Sequence, residues 1–161
     1  MPHQVTKATA RGSQGDLAKI ADALRNLTPP VNIIAIGGGE GVLKNKNGST
    51  TEVGVISMIL EPDDGPNSAK IRTALTDLKL GKGRTLEDVE QFPNIHIQID
   101  DKPGELKKAL DAVAGLNIRS VLSMGTLMGT ANVGLGFSET DRPKAEKKLK
   151  DKLIKVVDHQ H

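Results

Sequence analysis

The sequence predicts an α+β fold made of two βαββαβ modules in tandem, each an antiparallel sheet with its helices on one face. Three observations carry this expectation. The chain repeats itself: the segment Gly15 to Leu27 returns as Gly104 to Leu116 at a constant offset of 89. Helix-like and strand-like apolar periods follow one another in the same order in both halves. The 161 residues, 37% hydrophobic and 26% charged, supply enough apolar material for one ordinary domain or two small ones. The order of elements is the split βαβ pattern of a ferredoxin-like sheet. We place module 1 at residues 1–90 and module 2 at residues 91–161.

Taken along the chain, Val5 to Ala10 is a weak opening strand. The first helix follows Gly15, with Leu17, Ile20, Leu24 and Leu27 on one apolar stripe. Asn32-Ile33 then opens an extended stretch, and Asn47-Gly48 marks the turn of a long hairpin. Val53 to Glu61, β-branched and apolar, reads as a buried strand, and Ile71, Leu75 and Leu78 mark the second helix. Lys79 to Phe92 must hold the fourth strand and the linker, without a clear division between them. In the second half, Ile95, Ile97 and Ile99 alternate with His96 and Gln98 as in a half-buried strand. Leu106, Ala109, Val113 and Leu116 repeat the helical stripe, and Ile118 to Leu122 and Ala131 to Glu139 repeat the hairpin strands. Ala145, Leu149 and Leu153 mark the last helix, and Ile154 to Val157 supply the closing strand.

Composition narrows the function. There are no Cys, Trp or Tyr and only two Phe, which removes thiol chemistry and disulfides and leaves few rings on which to stack bases. A formal charge of +2 sets up no strong field for phosphate or anionic lipid. No apolar run approaches the roughly 18 residues of a membrane span, and Met1-Pro2-His3-Gln4 lacks the basic and apolar regions of a signal peptide. A soluble, cytoplasmic protein is expected.

Asp101-Lys102-Pro103-Gly104-Glu105-Leu106 stands between a strand and a helix, and Asn117-Ile118 comes thirteen residues after Gly104. This pattern resembles the ACT domain, a ligand-sensing βαββαβ module whose hallmark is an Asp/Asn-x-Pro-Gly-x-Leu turn. The resemblance spans residues 94–158 and, more faintly, 5–90. It implies that an amino acid or related metabolite binds between two such modules, and the matching positions are Asp101, Pro103, Gly104, Asn117 and Ile118. The chemistry fits. Gly104 lets the backbone bend and a ligand come close. The helix N-terminus offers unpaired N–H groups to a carboxylate, and Asp101 can accept hydrogen bonds from an α-ammonium group. Asn117, taken to open the next strand close by, offers donor and acceptor. The first half departs from the pattern: Gly12 falls where the acid belongs and Gln14 where the proline belongs, while Gly15 and Asn32 are kept. One good site per chain is expected, with Gln14, Gly15 and Asn32 on an opposing surface.

Other readings are weaker. Gly37-Gly38-Gly39-Glu40-Gly41 lacks the Lys-Ser/Thr of a phosphate loop and reads as a mobile strand end beside the ligand. His3, His159 and His161 lie near the termini and His96 points outward, so no metal site is expected. Asp63-Asp64 and Asp100-Asp101 are expected to face water. Arg142 to Lys155 carries seven basic residues against two acidic ones, a solvated helix face rather than an RNA patch. No nucleophile elbow or metal signature is present, so the protein is expected to be no enzyme and to need no cofactor. The expected function is regulatory, through a small-molecule ligand, a homodimer formed through open sheet edges and, in addition, a partner enzyme. The alternative is a ligand-free interaction module serving as the regulatory subunit of a metabolic enzyme.

Overall fold

A computed structural model describes residues 4–10 and 16–158. The elements run β1 (Gln4–Ala10), α1 (Asp16–Arg25), β2 (Asn32–Lys44), β3 (Thr50–Glu61), α2 (Pro66–Thr76), β4 (Asp88–Asp100), α3 (Glu105–Ala112), β5 (Ser120–Leu127), β6 (Thr130–Gly136), α4 (Arg142–Asp151) and β7 (Lys155–Val157). The chain divides into two compact units, Thr6–Gln91 and Phe92–His161, the latter joined by the described part of Met1–Val5.

In the first unit the strand order is β2-β3-β1-β4, and in the second it is β5-β6-β4-β7. Numbered within each unit, both read 2-3-1-4, the ferredoxin-like order. The fourth strand of the first half, which could not be divided from the linker, is the beginning of β4. Residues up to Gln91 serve the first unit and those from Phe92 the second. Ahead of it, residues 77–87 form no strand and include a 3-10 turn at Gly81–Gly83.

Each unit has its own core. In the first, Ile20 and Leu24 of α1 and Ile71 and Leu75 of α2 pack with Ala8, Met58 and Leu60 of the sheet, and Leu80 and Leu86 join them from residues 77–87. In the second, Ala109, Val113, Ala145 and Leu149 cover Ile95, Ile97, Val133, Leu135 and Phe137. The alternation of Ile95, Ile97 and Ile99 sends these three to the helix side. Fully burying each such side chain contributes about 1.5–3 kcal/mol.

Several expectations need correction. Leu17 and Leu106 do not close the helical stripes but stay exposed, because the covered line runs through Asp16, Ile20 and Leu24 and through Glu105, Ala109 and Val113, and each leucine lies one position to its side. β3 is buried only at Val53 and Met58–Leu60, so it is half-covered rather than buried throughout. The glycine run is no mobile strand end: Gly37, Gly38 and Gly39 pair in register with Ser57, Ile56 and Val55. At Gly38 an added Cβ would lie 3.1 Å from the Val55 carbonyl oxygen, so the close strand approach favours a residue without one. Asp63 is buried rather than facing water. The Asn47-Gly48 turn forms as expected, with Gly48 at φ 83° and its N–H donating to the Asn45 carbonyl at 3.0 Å.

Candidate functional site

The Asp101 turn joins β4 to α3 in the second unit. Asp101, Lys102, Pro103 and Gly104 are all exposed. The Asp101 N–H donates to the Gly129 carbonyl at 2.8 Å, which ties the turn to the β5–β6 hairpin. Its carboxylate makes no ion pair among the described residues, whereas Asp100 sits 3.5 Å from the Lys102 ammonium. Gly104 precedes α3 in the left-handed region, at φ 90° and ψ −16°, which a residue with a Cβ adopts only at a cost. Nothing lies within 4 Å of where its Cβ would be, so the space over the helix entry is open.

The structure does not gather every expected residue at this turn. Asn117 is exposed and Ile118 half-buried against the second core, both ahead of β5, whose first backbone link is the Arg119 N–H to the Gly136 carbonyl at 2.8 Å. The register runs from Asp100 opposite Thr130 to Asn94 opposite Gly136, and Ser120 pairs with Gly136. Asn117 therefore lies at the far end of the sheet from Asp101, roughly 20 Å of strand away at 3.3 Å per residue. The cause is α3, which carries the chain back antiparallel to β4. In the first unit Asn32 opens β2, exposed and opposite Glu61. Gln14 and Gly15, with His3, His159 and His161, lie outside the described residues.

A second feature had no part in the expectations from sequence. A groove of about 680 Å³ runs between the end of β4, α3 and the connection from α4 to β7. Its charged lining is Asp100, Glu105, Lys108, Asp111, Lys152 and Lys155. Ile99, Ala112, Leu153 and Ile154 give it apolar surface. Glu105 accepts a hydrogen bond from Lys108 at 2.8 Å. That bond and the Glu105 charge, with Asp100 adding to them, hold the Lys108 ammonium above the ordinary lysine range. Lys152 and Lys155 make no ion pair among the described residues. Leu153, expected on the buried helical stripe, is 93% exposed and sits at φ 60°. α4 ends at Asp151, and the turn that follows swings Leu153 away from the core.

Elsewhere the chemistry is quiet. The basic stretch of α4 is laced by Lys147–Asp151 and Lys150–Glu146 pairs at 2.7 and 2.8 Å. His96 is half-buried and shares a 2.8 Å hydrogen bond with the Asn132 side chain. Among the described residues no three metal-binding side chains of His, Asp or Glu converge, and no helix is long and apolar enough to cross a membrane.

No family model matches the chain, and no curated protein matches it by sequence. Solved structures do. A protein of Bacteroides thetaiotaomicron aligns over 96% of this chain and 90% of its own, at 20% identity and a TM-score of 0.62. The regulatory subunit of aspartate kinase from Thermus flavus aligns over 94% and 92%, at 16% identity and a TM-score of 0.56. The ligand-free regulatory subunit of aspartate kinase from Thermus thermophilus aligns over 94% and 93%, at 15% identity and a TM-score of 0.54. At these identities the likeness is one of fold.

Proposed function

We propose that this chain is a regulatory protein of the ACT type that senses an amino acid or related metabolite and has no chemistry of its own. The observation that carries the reading is the Asp101 turn: a free carboxylate, an exposed Pro-Gly bend and an open helix entry at Gly104, side by side. The ligand's ammonium group meets Asp101 and its carboxylate the N–H groups of α3. Asn117 and Ile118, at the other end of their sheet, serve a ligand held by a second copy of the chain, with Gln14, Gly15 and Asn32 of module 1 (residues 1–90) as further facing surface. Self-association is supported by β5, an edge strand whose Val121 and Leu127 are exposed, and by Met128 beyond it, 95% exposed. A regulatory role also accords with the fold shared with the two aspartate kinase regulatory subunits. A ligand bridging two modules favours the assembly that holds them together, by its differential affinity for that state.

The test is a thermal-shift panel of the proteinogenic amino acids on the whole chain. A ligand at 100 times its Kd adds about 2.7 kcal/mol of stability, and Asp101→Ala removes the shift while leaving the unliganded melting temperature in place. A flat panel favours the second reading, an interaction module that regulates a partner enzyme without a ligand, for which the exposed Leu127 and Met128 speak.

A further inference from the structure

The two units treat one place in the fold in opposite ways. Asp16 opens α1, and at the repeat offset of 89 its counterpart is Glu105, which opens α3. In the first unit eleven residues, 77–87, separate α2 from β4. They bring Arg84 to the Asp16 carboxylate, with Nη2 at 3.3 Å from both oxygens, and they bury Leu80 and Leu86 in the core. The chain thus supplies its own cation and its own aliphatic surface at that place. In the second unit only three residues, 152–154, separate α4 from β7. No such segment is present, and the groove stands open with Glu105 on its wall.

Leu153 belongs to the same contrast. Leu78, one residue past the end-cap of α2, packs on the first core, whereas Leu153, one residue past the end-cap of α4, is 93% exposed. Its left-handed backbone is one that glycine adopts freely and leucine does not. A leucine held in that conformation on the rim of a groove is costly in isolation and gains by being covered.

We propose that this groove is a binding site for a small aliphatic zwitterion, an amino acid with a branched or straight hydrocarbon side chain. Its ammonium takes the acidic wall of Asp100 and Glu105 in exchange for the exposed Lys102 and Lys108 ammonium groups that pair with them, as the Arg84 guanidinium takes Asp16. Its carboxylate takes the unpaired Lys152 and Lys155. Its hydrocarbon chain covers Ile99, Ile154 and Leu153. The volume is of the size that small-ligand sites occupy, about 300–1,000 Å³. The site meets the Asp101 motif only at Glu105, whose carboxylate faces the groove, and it uses none of Asp101, Pro103 and Gly104, so each can fail without the other.

The probe is L-leucine, added to the whole ¹⁵N-labelled chain and followed by backbone-amide shifts. The expected result is a saturable movement of the Lys108 and Lys152–Lys155 resonances. The same titration with 4-methylpentanoate, 3-methylbutylamine or glycine, which each lack one of the three recognised groups, is weaker by about tenfold or more. Lys152→Ala with Lys155→Ala weakens leucine to the same degree, and Lys46→Ala, exposed on the β2–β3 hairpin of the first unit, leaves it unchanged. Leu153→Gly separates binding from folding: it preserves the fold and still weakens leucine binding. Absence of saturable movement, equal binding of the truncated probes, or a double lysine variant that binds normally would each overturn the proposal.

Discussion

Asp16 and Glu105 occupy the same place in two copies of one fold, and they have different neighbours. Asp16 is almost fully buried beneath the Arg84 guanidinium, while Glu105 pairs with a lysine whose side chain is 72% exposed. The difference comes from the length of a connection. Eleven residues on one side reach back and complete a core, and three on the other leave a charged groove. In one unit the cation that meets the acid is held by a segment folded back on the core, and in the other the lysine that meets it stays exposed beside an open groove.

The comparison is broken most forcefully at Arg84. Replacing it with alanine takes the Arg84 cation from a buried carboxylate, and we expect a loss of about 3 kcal/mol in urea unfolding, at the low end for a buried pair because Arg84 is partly exposed. The matching change in the other unit, Lys108→Ala, should leave the unfolding midpoint nearly where it was, because that ammonium is exposed. If the two variants lose equal stability, the contrast between a closed and an open acid is wrong.

Leu153→Gly comes next. Releasing a leucine from a left-handed backbone position at an exposed site should stabilise the chain by about 1 kcal/mol, read as a rise in the unfolding midpoint. Leu78→Ala at the counterpart position should lower it, because that side chain packs on the first core.

Both positions bear on what a sequence reader can see. The repeat at offset 89 was enough for the order of elements, since a period of 2 or 3.6 in apolar residues survives divergence. It could not show that the stripe Ala145, Leu149, Leu153 stops one turn early, because periodicity carries no information about where a helix unwinds. Asn117 followed Gly104 by a spacing that looked local, yet α3 returns the chain to the other end of the sheet. The glycine run read as a mobile strand end because glycine weakens a strand, and only the pairing of β2 with β3 placed it within a ladder. The start of β4 was hidden behind Gly81-Lys82-Gly83 and Pro93, two strong breakers on either side of it. The Asp101 turn was the most legible feature, since Asp, Pro and Gly each have a physical role in it.

The smallest expected effect is electrostatic. Burial, and then the hydrogen bond and charge of Glu90, raise the Asp88 pKa above its ordinary 3.8, with Lys7 opposing them. A carboxyl raised on folding is disfavoured when ionised, so its penalty is full at neutral pH. The penalty is relieved as pH falls through the raised folded value towards 3.8. Asp88→Asn should therefore raise the melting temperature slightly at pH 7, and the gain should shrink as the pH is lowered to 4. A gain that grows on acidification would reverse the assigned sign.

Both proposals place the binding of an amino acid on the second unit. Calorimetric titration of the whole chain with the amino acid that gives the largest thermal shift tests it most directly, run beside Asp101→Ala and the Lys152→Ala, Lys155→Ala pair. The account predicts saturable heat for the unaltered chain and its loss in at least one of these two variants, with folding intact in both. Saturable heat that neither variant diminishes, or no heat for any amino acid, would contradict it.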